Sequence, residues 1–298
     1  WGGGAFLVTK VSWVQATDQT VSVSAVQGNI DQHTKWLRQS AGTILNTYLG
    51  LTENEWGRDI VVWPEAAITV MRPDAGPILD ELAMQGRQTG TALVLGIPDR
   101  SEEGSYLNSA IALGNGVGDY QKRRLVPFGE YVPLEEYLRG LITFFDLPMS
   151  RNQSGPWSQD PLLAGSLSLS LSICYEVVYP ELVRETAEMP DLFLTISNDT
   201  WFGDSIGPKQ HLQMARMRAA ENGRWMIRST NNGITALIDH QGNVRAQLPS
   251  FKAGVLRGEV RIMQGVTPYH RFGHLPVVVP CLAFVLVLLV KEKIWGRL

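Results

Sequence analysis

Little in this chain points to a disulfide or metal scaffold. Its 298 residues include only two cysteines, Cys174 and Cys281. The first ends an alternating segment and the second lies inside an apolar run. A bridge needs a matched approach of both Cβ atoms, so each is read as a free thiol. The histidines offer no pair at i and i+4 beside a carboxylate, so zinc-ligand spacing is missing, and no cofactor or metal is expected. Neither sign of charge dominates, with 26 Lys plus Arg against 29 Asp plus Glu. The one basic cluster, Lys122-Arg123-Arg124, is too short to follow a phosphate backbone, so no nucleic-acid partner is expected. There is no internal repeat of the length that builds solenoids.

What is present begins with size. A chain of this length can bury a core without a covalent staple. No charged-then-apolar leader opens it and Trp1 stands first, so residues 1–20, with the flexible Gly2-Gly3-Gly4, are read as a lead-in from an upstream membrane region. Residues 21–273 are expected to form one catalytic domain and 274–298 a membrane segment with a short tail. That last expectation rests on Leu275 to Val290, which is apolar except for Pro276 and Pro280 and is followed by Lys291, Lys293, Trp295 and Arg297. It reads as a transmembrane helix, though shorter than the ~20 residues a bilayer core usually takes; a buried helix is the alternative. The basic flank would lie on the cytoplasmic side, putting the rest of the chain outside the cytoplasm.

Strand and helix patterns alternate along the domain. Val21 to Val26, Asp59 to Trp63, Ala92 to Gly96 and Ser109 to Leu113 read as strands, with helical spacing over Gln32 to Tyr48 and Ala75 to Gln88. Leu167 to Ile173 alternates with period 2 and delivers Cys174 at its end. Leu192 to Ile196, Trp225 to Arg228 and Ile234 to Ile238 are further strands, and Gln210 to Asn222 a helix stopped by Gly223. Met149 to Pro161 reads as a loop, a lid or a plain connector. Such alternation predicts α/β layering.

Three predicted strand ends carry residues that packing does not require: Glu65 after Trp63-Pro64, Lys122 after Tyr120-Gln121, and Cys174 before Tyr175-Glu176. Strand ends are where α/β folds place chemistry. A thiol attacks only as thiolate, and little is present at neutral pH from an ordinary thiol. A neighbouring carboxylate can take its proton, and a lysine ammonium can stabilise the thiolate and the oxyanion formed at an attacked carbonyl. Taken singly, each has a structural reading: Cys174 as a small buried hydrophobe, Glu65 as a surface carboxylate, Lys122 as a solvated cation.

The words around them join the three. Tyr120-Gln121-Lys122-Arg123-Arg124-Leu125-Val126-Pro127-Phe128-Gly129-Glu130-Tyr131-Val132-Pro133 resembles the lysine segment of the apolipoprotein N-acyltransferases, a branch of the nitrilase superfamily. Val26-Gln27-Gly28-Asn29, Ser197-Asn198-Asp199-Thr200-Trp201-Phe202-Gly203-Asp204-Ser205 with Gln210-His211, Arg228-Ser229-Thr230-Asn231-Asn232-Gly233-Ile234 and Thr267-Pro268-Tyr269 resemble it too. The resemblance implies an αββα sandwich, followed here by the C-terminal span, and a triad of Glu65, Lys122 and Cys174. It further implies supporting roles for Glu130, Tyr175 and Glu176, a phospholipid acyl donor, a diacylglyceryl-modified apolipoprotein acceptor, and a periplasmic site at the bacterial inner membrane. Trp201, Phe202 and Tyr131 are candidate lipid contacts, with core packing the alternative, and His211 is read as structural or substrate-side. The family carries a membrane bundle ahead of the catalytic domain that these residues do not include. Two rivals remain: a soluble amidase or nitrilase using the same triad, and a membrane-tethered binding domain without turnover.

Overall fold

The computed structural model describes residues 12–127, 129–131, 152–185 and 189–295, with side chains as far as residue 289. The first part of the lead-in, the start of the Met149 to Pro161 loop and the end of the basic tail lie outside the described residues.

Two sheets stack face to face. In the first, β1 (Val14–Gln27), β2 (Ile60–Val62) and β3 (Ala92–Arg100) run parallel, and β4 (Tyr106–Gly114) and β6 (Asp119–Gln121) continue antiparallel on one side. The strand β13 (Gly254–Gly265) pairs antiparallel with β1 on the other. The second sheet repeats the plan: β8 (Leu167–Ile173), β9 (Leu192–Ser197) and β10 (Met226–Thr230) are parallel. Flanking them are β11 (Ala236–Ile238) and β12 (Val244–Gln247) on one side, and β7 (Leu162–Ala164) with β5 (Gly116–Val117) on the other.

Burial follows the period of 2. On β8, Leu167, Leu169, Leu171 and Ile173 face inward against Val23, Ala25, Val62 and Val94 of the first sheet, forming the inter-sheet core. The opposite face of sheet one buries Val61, Trp63, Leu93 and Leu95 under helices α2 (Ala41–Thr52) and α3 (Gly76–Thr89) through Ile44, Tyr48 and Leu82. On the outer face of sheet two, Phe193, Met226 and Ile238 meet Ala215 and Ala219 of α5 (Gly207–Asn222). The layering is therefore α, β, β, α, an α/β arrangement as the alternation predicted and the sandwich that the family resemblance implies.

Three details differ from the sequence reading. The helix expected over Gln32 to Tyr48 is broken into α1 (Gln32–Lys35), a 3₁₀ turn Arg38–Ser40 and α2, because the chain turns extended at Leu37. β1 begins at Val14, inside the expected lead-in, since its polar first half pairs only with β13 across a bulge and needs no apolar residues there. β13 itself was unforeseen. Arg257, Glu259 and Arg261 point outward and mask the buried Leu256, Val260 and Ile262 between them.

After two short helical turns, α4 (Pro180–Arg184) and α6 (Pro268–Phe272), the chain ends in α7 (Leu275–Trp295). Its described side chains are exposed on every side, among them Leu275, Val279, Leu282, Phe284, Leu286 and Leu289. Among the described residues no helix is long and apolar enough to cross a membrane, so the expected transmembrane span is not seen as such.

Candidate active site

Glu65 leaves β2 through Trp63-Pro64. Trp63 anchors this exit: its indole N–H donates to Thr52 Oγ1 at 2.8 Å and its ring stacks on Tyr48. The following residue, Ala66, has φ +48°, a left-handed conformation that costs a non-glycine residue about 1–3 kcal/mol. Room for this turn comes from Gly96 of β3. A Cβ there would lie 2.6 Å from Ala66 N and 2.7 Å from Glu65 Cα. The Glu65 carboxylate, nearly buried, accepts from Asn108 Nδ2 at 2.7 Å with Oε1 and from the Asn198 N–H at 2.7 Å with Oε2. Beneath the turn, the fully buried Lys35 donates from Nζ to the Glu65 carbonyl at 3.1 Å.

Lys122 follows β6 and is 1% exposed. Its Nζ lies 2.8 Å from Glu130 Oε1 and 3.6 Å from Glu65 Oε1. Asn108 also reaches Glu130, at 3.3 Å, while Glu130 Oε2 accepts the Val126 N–H. Two carboxylates thus share one ammonium and one amide. Burial works against the Lys122 charge, but the carboxylates of Glu65 and Glu130 outweigh it and hold the ammonium above its ordinary range.

Cys174 stands at the end of β8, where the chain enters the 3₁₀ turn Cys174–Val178. Its φ is +54°, so the nucleophile candidate sits on a strained elbow. Burial and then the Glu65 charge push its thiol well above the ordinary thiol range, with Lys122 pulling the other way. The resting sulfur is therefore protonated, with a carboxylate and an ammonium beside it. This arrangement lets proton removal and attack on a carbonyl occur together, the emerging negative charge meeting a fixed cation.

Glu176 is fully buried and accepts from the N–H groups of Ile173 at 2.8 Å, Arg123 at 2.7 Å and Arg124 at 3.0 Å, and from the Tyr120 hydroxyl at 3.0 Å. Burial raises its pKa and those donors oppose the rise. It fastens the lysine segment to the cysteine turn. Tyr175 is partly exposed and meets Tyr179 edge-on. Tyr131, beside Glu130, and Phe202, whose ring lies 6.3 Å from that of His211, are exposed near the site, and Trp201 is 66% exposed. The structure thus brings Glu65, Lys122, Glu130 and Cys174 into one charge cluster, puts Glu176 under it and leaves the three aromatics on the surface. Sequence reasoning missed Asn108 and Lys35, which hold the Glu65 carboxylate and carbonyl. Among the described residues no group of three or more His, Cys, Asp and Glu side chains converges as metal ligands would.

Solved structures share this architecture. A carbon-nitrogen hydrolase superfamily protein from Xanthomonas campestris, with an arsenic adduct in its active site, superposes with a TM-score of 0.61 at 19% identity, covering 87% of this chain and 94% of that one. The NitFhit protein of C. elegans gives 0.63 at 17% identity, covering 89% of this chain and 65% of its own. At these identities the likeness speaks for the fold. In sequence, an apolipoprotein N-acyltransferase of Pseudomonas syringae pv. tomato is 48% identical over 275 residues, 91% of this chain and 54% of the relative. One of Azotobacter vinelandii is 49% identical, covering 89% of this chain and 52% of the relative. The chain spans about half the length of these curated relatives. The carbon-nitrogen hydrolase family model matches residues 22–266, from β1 through β13 and across every residue of the charge cluster, and by that match the chain belongs to the carbon-nitrogen hydrolase family.

Proposed function

We propose that this chain is the catalytic part of an apolipoprotein N-acyltransferase, moving a fatty acyl group from phospholipid to the N-terminal amine of a diacylglyceryl-modified apolipoprotein. One observation carries the chemistry: Lys122 Nζ within 3.6 Å of both Glu65 and Glu130, with Cys174 in the same charge cluster. The relatives that share 46–49% identity support the choice of substrates.

In this mechanism Glu65 accepts the Cys174 proton as Sγ attacks the phospholipid ester carbonyl. Lys122 and the Tyr175 N–H hold the tetrahedral oxyanion. Collapse breaks the ester C–O bond, Glu65 returns the proton to the departing lysophospholipid, and a Cys174 thioester remains. The apolipoprotein amine then attacks that thioester, Glu65 takes its proton, and Cys174 leaves as the amide forms. Glu130 keeps Lys122 aimed at the oxyanion, and Glu176 keeps the lysine and cysteine segments in register. Trp201, Phe202 and Tyr131 serve as lipid contacts. The apolar surface of α7, open on all sides, supports attachment to the inner membrane, since such a helix must be covered by protein or lipid. The basic residues after it support a periplasmic site.

Intact mass of the protein after incubation with phospholipid vesicles tests this. A fatty-acyl mass increase that hydroxylamine removes and Cys174→Ala abolishes is expected. An adduct with small amides or nitriles but none with lipid would mean a carbon-nitrogen hydrolase instead.

A further inference from the structure

His211 lies on α5, 4% exposed, with no role in the chemistry above. Its Nε2 is 3.0 Å from the backbone carbonyl oxygen of Cys174. A carbonyl can only accept, so Nε2 carries the proton of that bond. On the other side of the ring, Nδ1 is 3.0 Å from Asp199 Oδ1 and 3.2 Å from Arg228 Nη2: a ring protonated on both nitrogens donates to the carboxylate, and one protonated on Nε2 alone accepts from the guanidinium. Asp199 is itself fixed: Arg228 Nη2 donates to its Oδ2 at 2.7 Å and the Ser197 hydroxyl donates to its Oδ1. Gly233 makes room for it, because a Cβ there would overlap Asp199 Oδ2. Arg228, Asp199 and His211 are all buried, and the line they form ends on the carbonyl of the half-buried Cys174.

The carbonyl it ends on belongs to the strained elbow. The Cys174–Tyr175 peptide is planar and trans, so its C=O and the Tyr175 N–H point in opposite directions. Whatever fixes the carbonyl also aims that N–H. We propose that His211, oriented by Asp199 and Arg228, is a positioning residue that clamps the Cys174–Tyr175 peptide and so holds the Tyr175 N–H in place as an oxyanion donor. This rests on Cys174 being the acyl-accepting nucleophile. His211 reaches no reacting atom; it acts through the peptide plane. Gln at position 211 can place an N–H donor near the Nε2 site, whereas Leu cannot.

The test uses a Cys281→Ser background, which leaves Cys174 as the single cysteine. Three measurements are made on that protein and on His211→Leu, His211→Gln and Asp199→Asn: thioester formation from a p-nitrophenyl fatty ester, alkylation by iodoacetamide, and the isotope-edited amide I band of carbonyl-13C cysteine. His211→Leu is expected to lose ~100-fold in acylation rate, as a misplaced group does. Alkylation, which forms no oxyanion, falls less than about tenfold and so separates aim from access. The labelled band moves to higher wavenumber on loss of the donor. His211→Gln restores most of the acylation rate and returns the band toward its position in the parent. A purely structural histidine would depress acylation and alkylation together and gain nothing from Gln. Acylation within threefold of the parent in a folded His211→Leu protein, or an unmoved band, overturns the proposal. If the parent itself forms no Cys174 thioester, the proposed function fails, while the band shift still decides whether the clamp exists.

Discussion

Lys35 is fully buried, and its ammonium donates to the Glu65 carbonyl. Burial lowers its pKa from an ordinary 10.5 to about 8, against the attraction of Glu65. The unfolded chain keeps that proton until about pH 10.5 and the folded chain releases it near 8. Between those values the unfolded state binds more protons, so stability rises with pH across the window. The difference amounts to about 3 kcal/mol. We therefore expect the melting-temperature difference between wild type and Lys35→Met to grow in favour of wild type from pH 8 to 10.5 and to be level below 8. A level difference throughout would mean that Lys35 titrates as it does in water. None of this was visible beforehand, because a lysine inside an amphipathic helical pattern reads as solvent-facing. The sign that was there is a second helix start, Ser40, nine residues after the Asp31 cap. Asn108 escaped for a simpler reason: the strand was predicted to begin one residue later, at Ser109. Glu65, Lys122 and Cys174 were singled out by the longer segments around them, which resemble one family, since each alone also reads as a structural residue.

At the scale of the element, β3 sets the Glu65 turn. Its Gly96 faces Pro64 O, Glu65 Cα and Ala66 N, all backbone atoms that cannot rotate aside. Gly96→Ala forces the turn away from the strand. The expected cost is about 1–3 kcal/mol by urea unfolding, with a larger loss in acylation of Cys174, because Glu65 moves with its backbone. Equal, small losses in both would show that the turn yields freely. The strands themselves divide by how plainly they advertise burial. β8 was read correctly since its apolar residues alternate with serines that no other element wants, while β13 was missed because its outward face carries charge next to glycine. Period 2 was present in both; only the contrast differed.

For the whole molecule, the open question of surface is α7. If it is the membrane attachment, Leu282→Lys with Leu286→Lys should abolish co-sedimentation with phospholipid vesicles, each lysine costing ~2.5–3.5 kcal/mol at the centre of a bilayer. Both side chains are exposed, so the thermal stability of the sandwich should not change. Retained vesicle binding would move the contact to the exposed aromatics around the site. The sandwich also has a history written into its edge. β1 finds its outer neighbour only in β13, and Gln27 Nε2 donates to the Lys252 carbonyl 225 residues further on. At a synthesis rate of ~5–20 residues per second, that interval lasts on the order of 10–45 s. Throughout it, a nascent β1 waits without its β13 partner, so a strand made early in this sheet is among the last to be closed.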